Sequence, residues 1–172
     1  MFTGIVEELG EVVAIVPGEE SSRITVRGAV TTTEAAHGAS IAVNGVCLTV
    51  VEHDESRFVA DVMGETLRRT TLGELREGSA VNLERCTPAD GRLDGHVVQG
   101  HVDAVGTILE RTDHGTWETL RIGVPVEIAE LLAEKGAIAV DGVSLTVTAV
   151  SPGPLSTGRA AELDQHWFEI GL

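Results

Sequence analysis

The feature that most constrains this chain is that it contains itself twice. Residues 41–51 read IAVNGVCLTVV and residues 138–148 read IAVDGVSLTVT, identical at eight of 11 positions and displaced by 97. A second match lies at nearly the same displacement. Gly4-Ile5-Val6-Glu7-Glu8-Leu9-Gly10 aligns with Gly100-His101-Val102-Asp103-Ala104-Val105-Gly106, 96 residues later. A weaker third match pairs Phe58-Val59-Ala60-Asp61-Val62 with Phe168-Glu169-Ile170-Gly171-Leu172, displaced by 110. The 13 additional residues fall within 151–166, rich in Gly, Pro and Ser, which reads as an inserted loop. Such a period predicts two copies of one domain, 1–94 and 95–172. The second copy stops at the counterpart of Val62, so it is expected to lack its last elements.

Within each copy the local pattern is β. Short β-branched runs at 12–16, 23–26, 41–43, 47–51, 58–62 and 80–83 are separated by turn residues. Asn44-Gly45 and Asp141-Gly142 sit between apolar strands, where a type I′ turn needs two residues with positive φ. Six strands in 94 residues suit a small closed barrel. The expected fold is therefore all-β: two tandem, similar six-stranded barrels, the second incomplete, with short helices between strands. One helix is expected over 126–134, opened by Pro125 and closed by Gly136, and a shorter one over 65–72.

Charge narrows the functions. Against 12 basic residues stand 27 acidic ones, a net −15. It divides as −8 over 1–94 (8 basic, 16 acidic) and −7 over 95–172 (4 basic, 11 acidic), so the acidity belongs to both copies. A field of that sign repels phosphate backbones and anionic lipid, which argues against nucleic-acid and membrane-surface partners. No apolar run approaches the roughly 18 residues of a membrane span, and no basic-then-apolar leader is visible. Cys47 and Cys86 lie 39 residues apart without a CxxC pattern; a reduced, cytoplasmic protein is the simplest reading, with a single disulfide as the alternative.

Several residues are candidates for chemistry. Cys47 and Thr49 share one strand face, as do Ser144 and Thr146 in the second copy. A lone strand cysteine is usually a small buried hydrophobe, but a Cys/Ser-Leu-Thr pattern occurring twice favours paired pockets. His96 and His101, five apart, would point to opposite faces of a strand, and no HExxH or cysteine pair completes a site. A metal shared by these two histidines is not expected. His101 alone is a candidate acid or base, because an imidazole exchanges its proton near neutral pH; the bland alternative is a structural histidine. His37, His53, His114 and His166 are expected to face solvent. Lys135 is the single lysine beside 11 arginines; it would complement the dipole at the end of the expected helix. No phosphate-binding loop, dinucleotide fingerprint or nucleophile elbow is present.

The segments MFTGIVEELG, NGVCLTV, ETLRRTTLG, GHVVQGHVD and DGVSLTV, in this order along nearly the whole chain, resemble the riboflavin synthase family. The resemblance implies two six-stranded barrels followed by a C-terminal helix, assembled as a homotrimer through that helix. It implies a dismutation of two molecules of 6,7-dimethyl-8-ribityllumazine, one giving a four-carbon unit to the other. The products are riboflavin and a ribitylamino-pyrimidinedione. One lumazine pocket would use Cys47, Leu48 and Thr49; Asp61, Val62, Met63, Gly64, Glu65 and Thr66; and Gly100, His101 and Val102. The other would use Ser144, Leu145 and Thr146, with Gly4, Ile5, Val6 and Lys135. In the family the productive site joins the first barrel of one subunit to the second barrel of a neighbour. The substrate supplies its own electron sink, because its C7 methyl is acidic, so the resemblance implies no cofactor. Ser40, Cys47, His101 and Thr146 are assigned the polar tasks, with His101 as proton carrier. Gly64 stands where the family has Pro or Lys and is expected to loosen the pocket wall. A chain ending at Leu172 is expected to be weakly active or inactive alone and not to trimerise normally. The rival from another class is a non-catalytic lumazine or flavin carrier; a plain structural barrel would bind neither.

Overall fold

The computed structural model describes residues 1–151 and 166–172. Six antiparallel strands close a barrel in the first copy: β1 (Glu8–Pro17), β2 (Ser21–Arg27), β3 (Ser40–Val43), β4 (Val46–His53), β5 (Arg57–Met63) and β6 (Ala80–Arg85). Their order is β1-β2-β5-β4-β3-β6, and β1 returns to β6 through Glu8↔Leu83 to Glu11↔Ala80. Alternation drives the closure. Along β5, Phe58, Ala60 and Val62 are buried in the barrel while Arg57, Asp61 and Met63 face out. Phe58 is fully buried among Val12, Ile24, Val50 and Leu83. Phe58→Ala is expected to cost about 3–5 kcal/mol, read as a lower urea midpoint at unchanged slope.

In the second copy, β7 (Thr107–Asp113), β8 (Glu118–Gly123), β9 (Ala137–Val140), β10 (Val143–Val150) and β11 (Trp167–Gly171) form a sheet ordered β7-β8-β11-β10-β9. This repeats the order β1-β2-β5-β4-β3. The irregularities repeat as well. The register shift at Val12/Ala14 recurs at Ile108/Glu110, and that at Val50/Glu52 recurs at Val147/Ala149. Among the described residues no strand corresponds to β6. Glu8, Leu9 and Gly10 are strand because they pair with Leu83, Asn82 and Val81 of β6. Their counterparts at 104–106 have no such ladder partner among the described residues, and β7 begins only at Thr107.

By contact, the chain divides into two compact units. One is Met1–Val102 with Ala139–Ser144; the other is Asp103–Ile138 with Leu145–Leu172. Three local expectations need correction. The helix over 126–134 is a single turn, α2 (Val126–Ala129), with Pro125 at its N-cap. Beyond it, Leu131 and Leu132 donate to Ile128 and Ala129 in three-residue turns, and Leu131 is 77% exposed rather than packed. The helix over 65–72 ends as α1 (Gly64–Arg69), followed by a 3-10 turn over Thr71–Glu74. Thr70 separates them: its hydroxyl donates to the Thr66 carbonyl and accepts from the Leu72 N–H, so its backbone turns extended. His166, expected at the surface, is buried. The inserted loop lies outside the described residues except for Ser151 and His166. No helix among the described residues is long and apolar enough to cross a membrane.

Candidate functional site

On the first barrel the pleat sorts the candidate residues. Ser40 pairs with Thr49, and Ala42 with Cys47, across β3 and β4. Cys47 and Thr49 face outward, as do Asp61 and Met63 on β5. Leu48 and Val62 point into the barrel core and can offer the outer face only their backbone. Ser40 and Ile5 open onto a cleft of about 590 Å³ whose walls include Ile41, Arg85 and Cys86. Cys47 is half-buried under Phe2, Ala42 and Val98.

Two segments dock on the two hairpins in matching ways. Phe2 and Val98, themselves 96 residues apart, exchange both backbone hydrogen bonds at 2.8 and 3.0 Å. Two residues further along each segment, the Cys47 N–H donates to the Gly100 carbonyl at 2.9 Å, and the Ser144 N–H donates to the Gly4 carbonyl at 2.7 Å. Both glycines are left-handed, Gly4 at φ 75° and Gly100 at φ 84°. A Cβ on Gly4 would stand 2.7 Å from the Ser144 Cβ, and one on Gly100 would stand 2.6 Å from the Cys47 Cβ. Glycine is required at both points by conformation and by space. The hairpin tips keep the expected type I′ signs, Asn44 at φ 47° and Gly45 at φ 78° against Asp141 at φ 45° and Gly142 at φ 80°.

This docking carries His101, exposed, one residue beyond the Gly100 carbonyl that holds Cys47, while Val102 turns back against the barrel core. His96 has a different partner: its Nδ1 lies 2.6 Å from the Ser144 Oγ. No group of three or more metal-ligating side chains occurs among the described residues.

The wall beyond β5 is held by ion pairs. Arg23 grips Asp61 at 2.7 and 3.0 Å, and those hydrogen bonds hold the Asp61 carboxyl below the usual carboxylate range. Arg69 and Arg68, each at 2.8 Å, do the same for Glu65. Gly64 does not loosen this wall. Its N–H donates to the Glu20 carbonyl at 2.8 Å, and a Cβ there would meet that oxygen at 2.9 Å.

Lys135 is distinguished by its backbone. Its counterpart in the first copy is Gly38, and both are left-handed, at φ 67° and φ 85°. The Lys135 N–H donates to the Val147 carbonyl as the Gly38 N–H donates to Val50, both at 2.8 Å. A lysine in this region costs about 1–2 kcal/mol that a glycine would not. Thr146 is exposed in β10, immediately before the buried Val147.

The lumazine binding domain family matches this chain twice, over residues 3–86 and 99–172. Riboflavin synthase of Mycobacterium bovis is 52% identical over 173 residues, which cover all of this chain and 81% of that protein. The chain belongs to the riboflavin synthase family. A family relative from Bacillus amyloliquefaciens is 43% identical over 153 residues, covering 88% of this chain and 70% of its own length. The fold is shared with LumP, solved in complex with riboflavin, at a TM-score of 0.82 and 26% identity, covering 99% of this chain and 87% of LumP. LumP in complex with 6,7-dimethyl-8-(1'-D-ribityl) lumazine is similar in fold at a TM-score of 0.80 and 24% identity, covering 99% and 86%.

Proposed function

We propose that this chain converts two molecules of 6,7-dimethyl-8-ribityllumazine into riboflavin and 5-amino-6-ribitylamino-pyrimidinedione. It acts as a transferase that moves a four-carbon unit from one lumazine to the other. The observation that carries this reading is the duplicated docking of Gly100 on Cys47 and Gly4 on Ser144, in a chain 52% identical to a riboflavin synthase. A reaction between two identical molecules needs two similar sites, and an internal repeat supplies them.

In this reading Cys47, Leu48 and Thr49, the stretch from Asp61 to Thr66, and Gly100, His101 and Val102 hold one lumazine. Ser144, Leu145 and Thr146, with Gly4, Ile5, Val6 and Lys135, hold the other. Positioning two rings contributes most of the rate, since it converts an encounter of two molecules into a step within one complex. His101, exposed and fixed through its neighbour Gly100, carries the proton of the acidic C7 methyl. Ser40, Cys47 and Thr146 serve addition and hydrogen bonding at the rings. With no tyrosine in the chain, and with Phe2 and Phe58 both buried, ring contacts fall mainly to backbone and aliphatic groups. The reading includes a cytoplasmic location, and sedimentation of the purified chain reads how far it forms the homotrimer of its family.

Incubation with the lumazine, followed by riboflavin absorbance, tests the function. Appearance of flavin supports the transferase. Saturable lumazine binding without new flavin would replace it with the carrier.

A further inference from the structure

Glu84 is a buried carboxylate on the outer side of β6, only 6% exposed, in the strand that closes the first barrel. Strand parity alone would send it to solvent. Instead the first residues of the chain lie over it. Glu84 Oε1 accepts from the Thr3 N–H at 2.6 Å and from the Thr3 hydroxyl at 2.7 Å, and Oε2 accepts from the Gly4 N–H at 3.0 Å. Three donors on one buried carboxylate make a strong, directional clamp, because charge-assisted hydrogen bonds are roughly twice as strong as neutral ones.

What the clamp holds is the docking segment itself. The Gly4 carbonyl receives the Ser144 N–H, the Thr3 carbonyl receives the His96 N–H at 3.0 Å, and Phe2 covers Cys47. One carboxylate thus fixes a segment that touches both Cys/Ser-Leu-Thr hairpins. We infer that Glu84 is a positioning residue of the lumazine reaction, setting the Thr3–Gly4 turn so that Gly4 and Phe2 hold Ser144 and Cys47 in their working places. This rests on the proposed function for its kinetic consequence, but its structural consequence can be read without turnover.

The test compares Glu84→Gln and Thr3→Val with the unaltered chain. The amide of Gln would turn a donor toward one of the three donors, while Thr3→Val removes a single hydroxyl. Amide exchange is followed at Ser144, which does not touch Glu84, and across the β2–β5 ladder. Ser144 protection is expected to fall by on the order of tenfold or more in Glu84→Gln and by less in Thr3→Val, with the ladder unchanged. In the same variants kcat for riboflavin formation falls in that order while the lumazine KM moves little, and Thr3→Ser restores what Thr3→Val loses. Uniform loss of protection over the whole barrel, or unchanged Ser144 protection, would overturn the positioning role. Absence of riboflavin from the unaltered chain would instead overturn the proposed function and leave the exchange result standing.

Discussion

Gly100→Val is expected to lower riboflavin formation by roughly a hundredfold while the first barrel stays folded. Two costs coincide at this position. A branched residue forced to φ 84° loses about 1–2 kcal/mol against glycine. Independently, its Cβ would stand 2.6 Å from the Cys47 Cβ and 2.9 Å from the Phe2 ring, where no real side chain sits. The segment must lift off, taking the Cys47 hydrogen bond and the placement of His101 with it. A misplacement of about 1 Å in a reacting constellation is enough for a loss of this size. The barrel strands do not depend on that contact, so far-UV circular dichroism should be preserved. A rate within twofold of the unaltered chain would show that docking at Gly100 does not set the site.

The second large effect is chemical. His101→Gln keeps size and hydrogen-bonding capacity but cannot take up and return a proton. A positioned acid or base contributes about 10²–10⁴-fold, so kcat is expected to fall by roughly a hundredfold or more with lumazine binding nearly unchanged. Steady-state kinetics beside an equilibrium fluorescence titration separate the two. An unaltered kcat would remove His101 from the proton-transfer role, and a parallel loss of binding would make it a substrate contact instead.

The barrel was legible because each strand carries its own period-2 signal and each copy repeats it. The Asn44-Gly45 and Asp141-Gly142 tips are turns whose chemistry admits little else. The shortness of α2 was not legible: residues 126–134 have an amphipathic pattern, but Leu131 finds solvent where the pattern implies a core. The break at Thr70 leaves no periodic signal, because it depends on one hydroxyl bonding in two directions.

The site was legible in part. Cys47 and Ser144 stand out through the repeat, and Gly4 and Gly100 through their alignment, but that each glycine docks on the opposite copy's hairpin follows from no local pattern. Glu84 gave no signal at all. In Val81-Asn82-Leu83-Glu84 it occupies an ordinary outward position, and its donors come from a segment about 80 residues earlier in sequence. Phe2 was hidden for the same reason, since its burial depends on Val98 and Cys47 rather than on its neighbours. Lys135 stands out in the sequence as the single lysine, whereas its left-handed backbone is a property that only the fold reveals.

The most direct measurement is the stoichiometry of turnover. The purified chain is incubated with 6,7-dimethyl-8-ribityllumazine, and substrate and products are separated and quantified at several times. Two lumazines consumed for each riboflavin formed, with one equivalent of the ribitylamino-pyrimidinedione, is the predicted result. Lumazine recovered intact beside a saturable protein complex would contradict it.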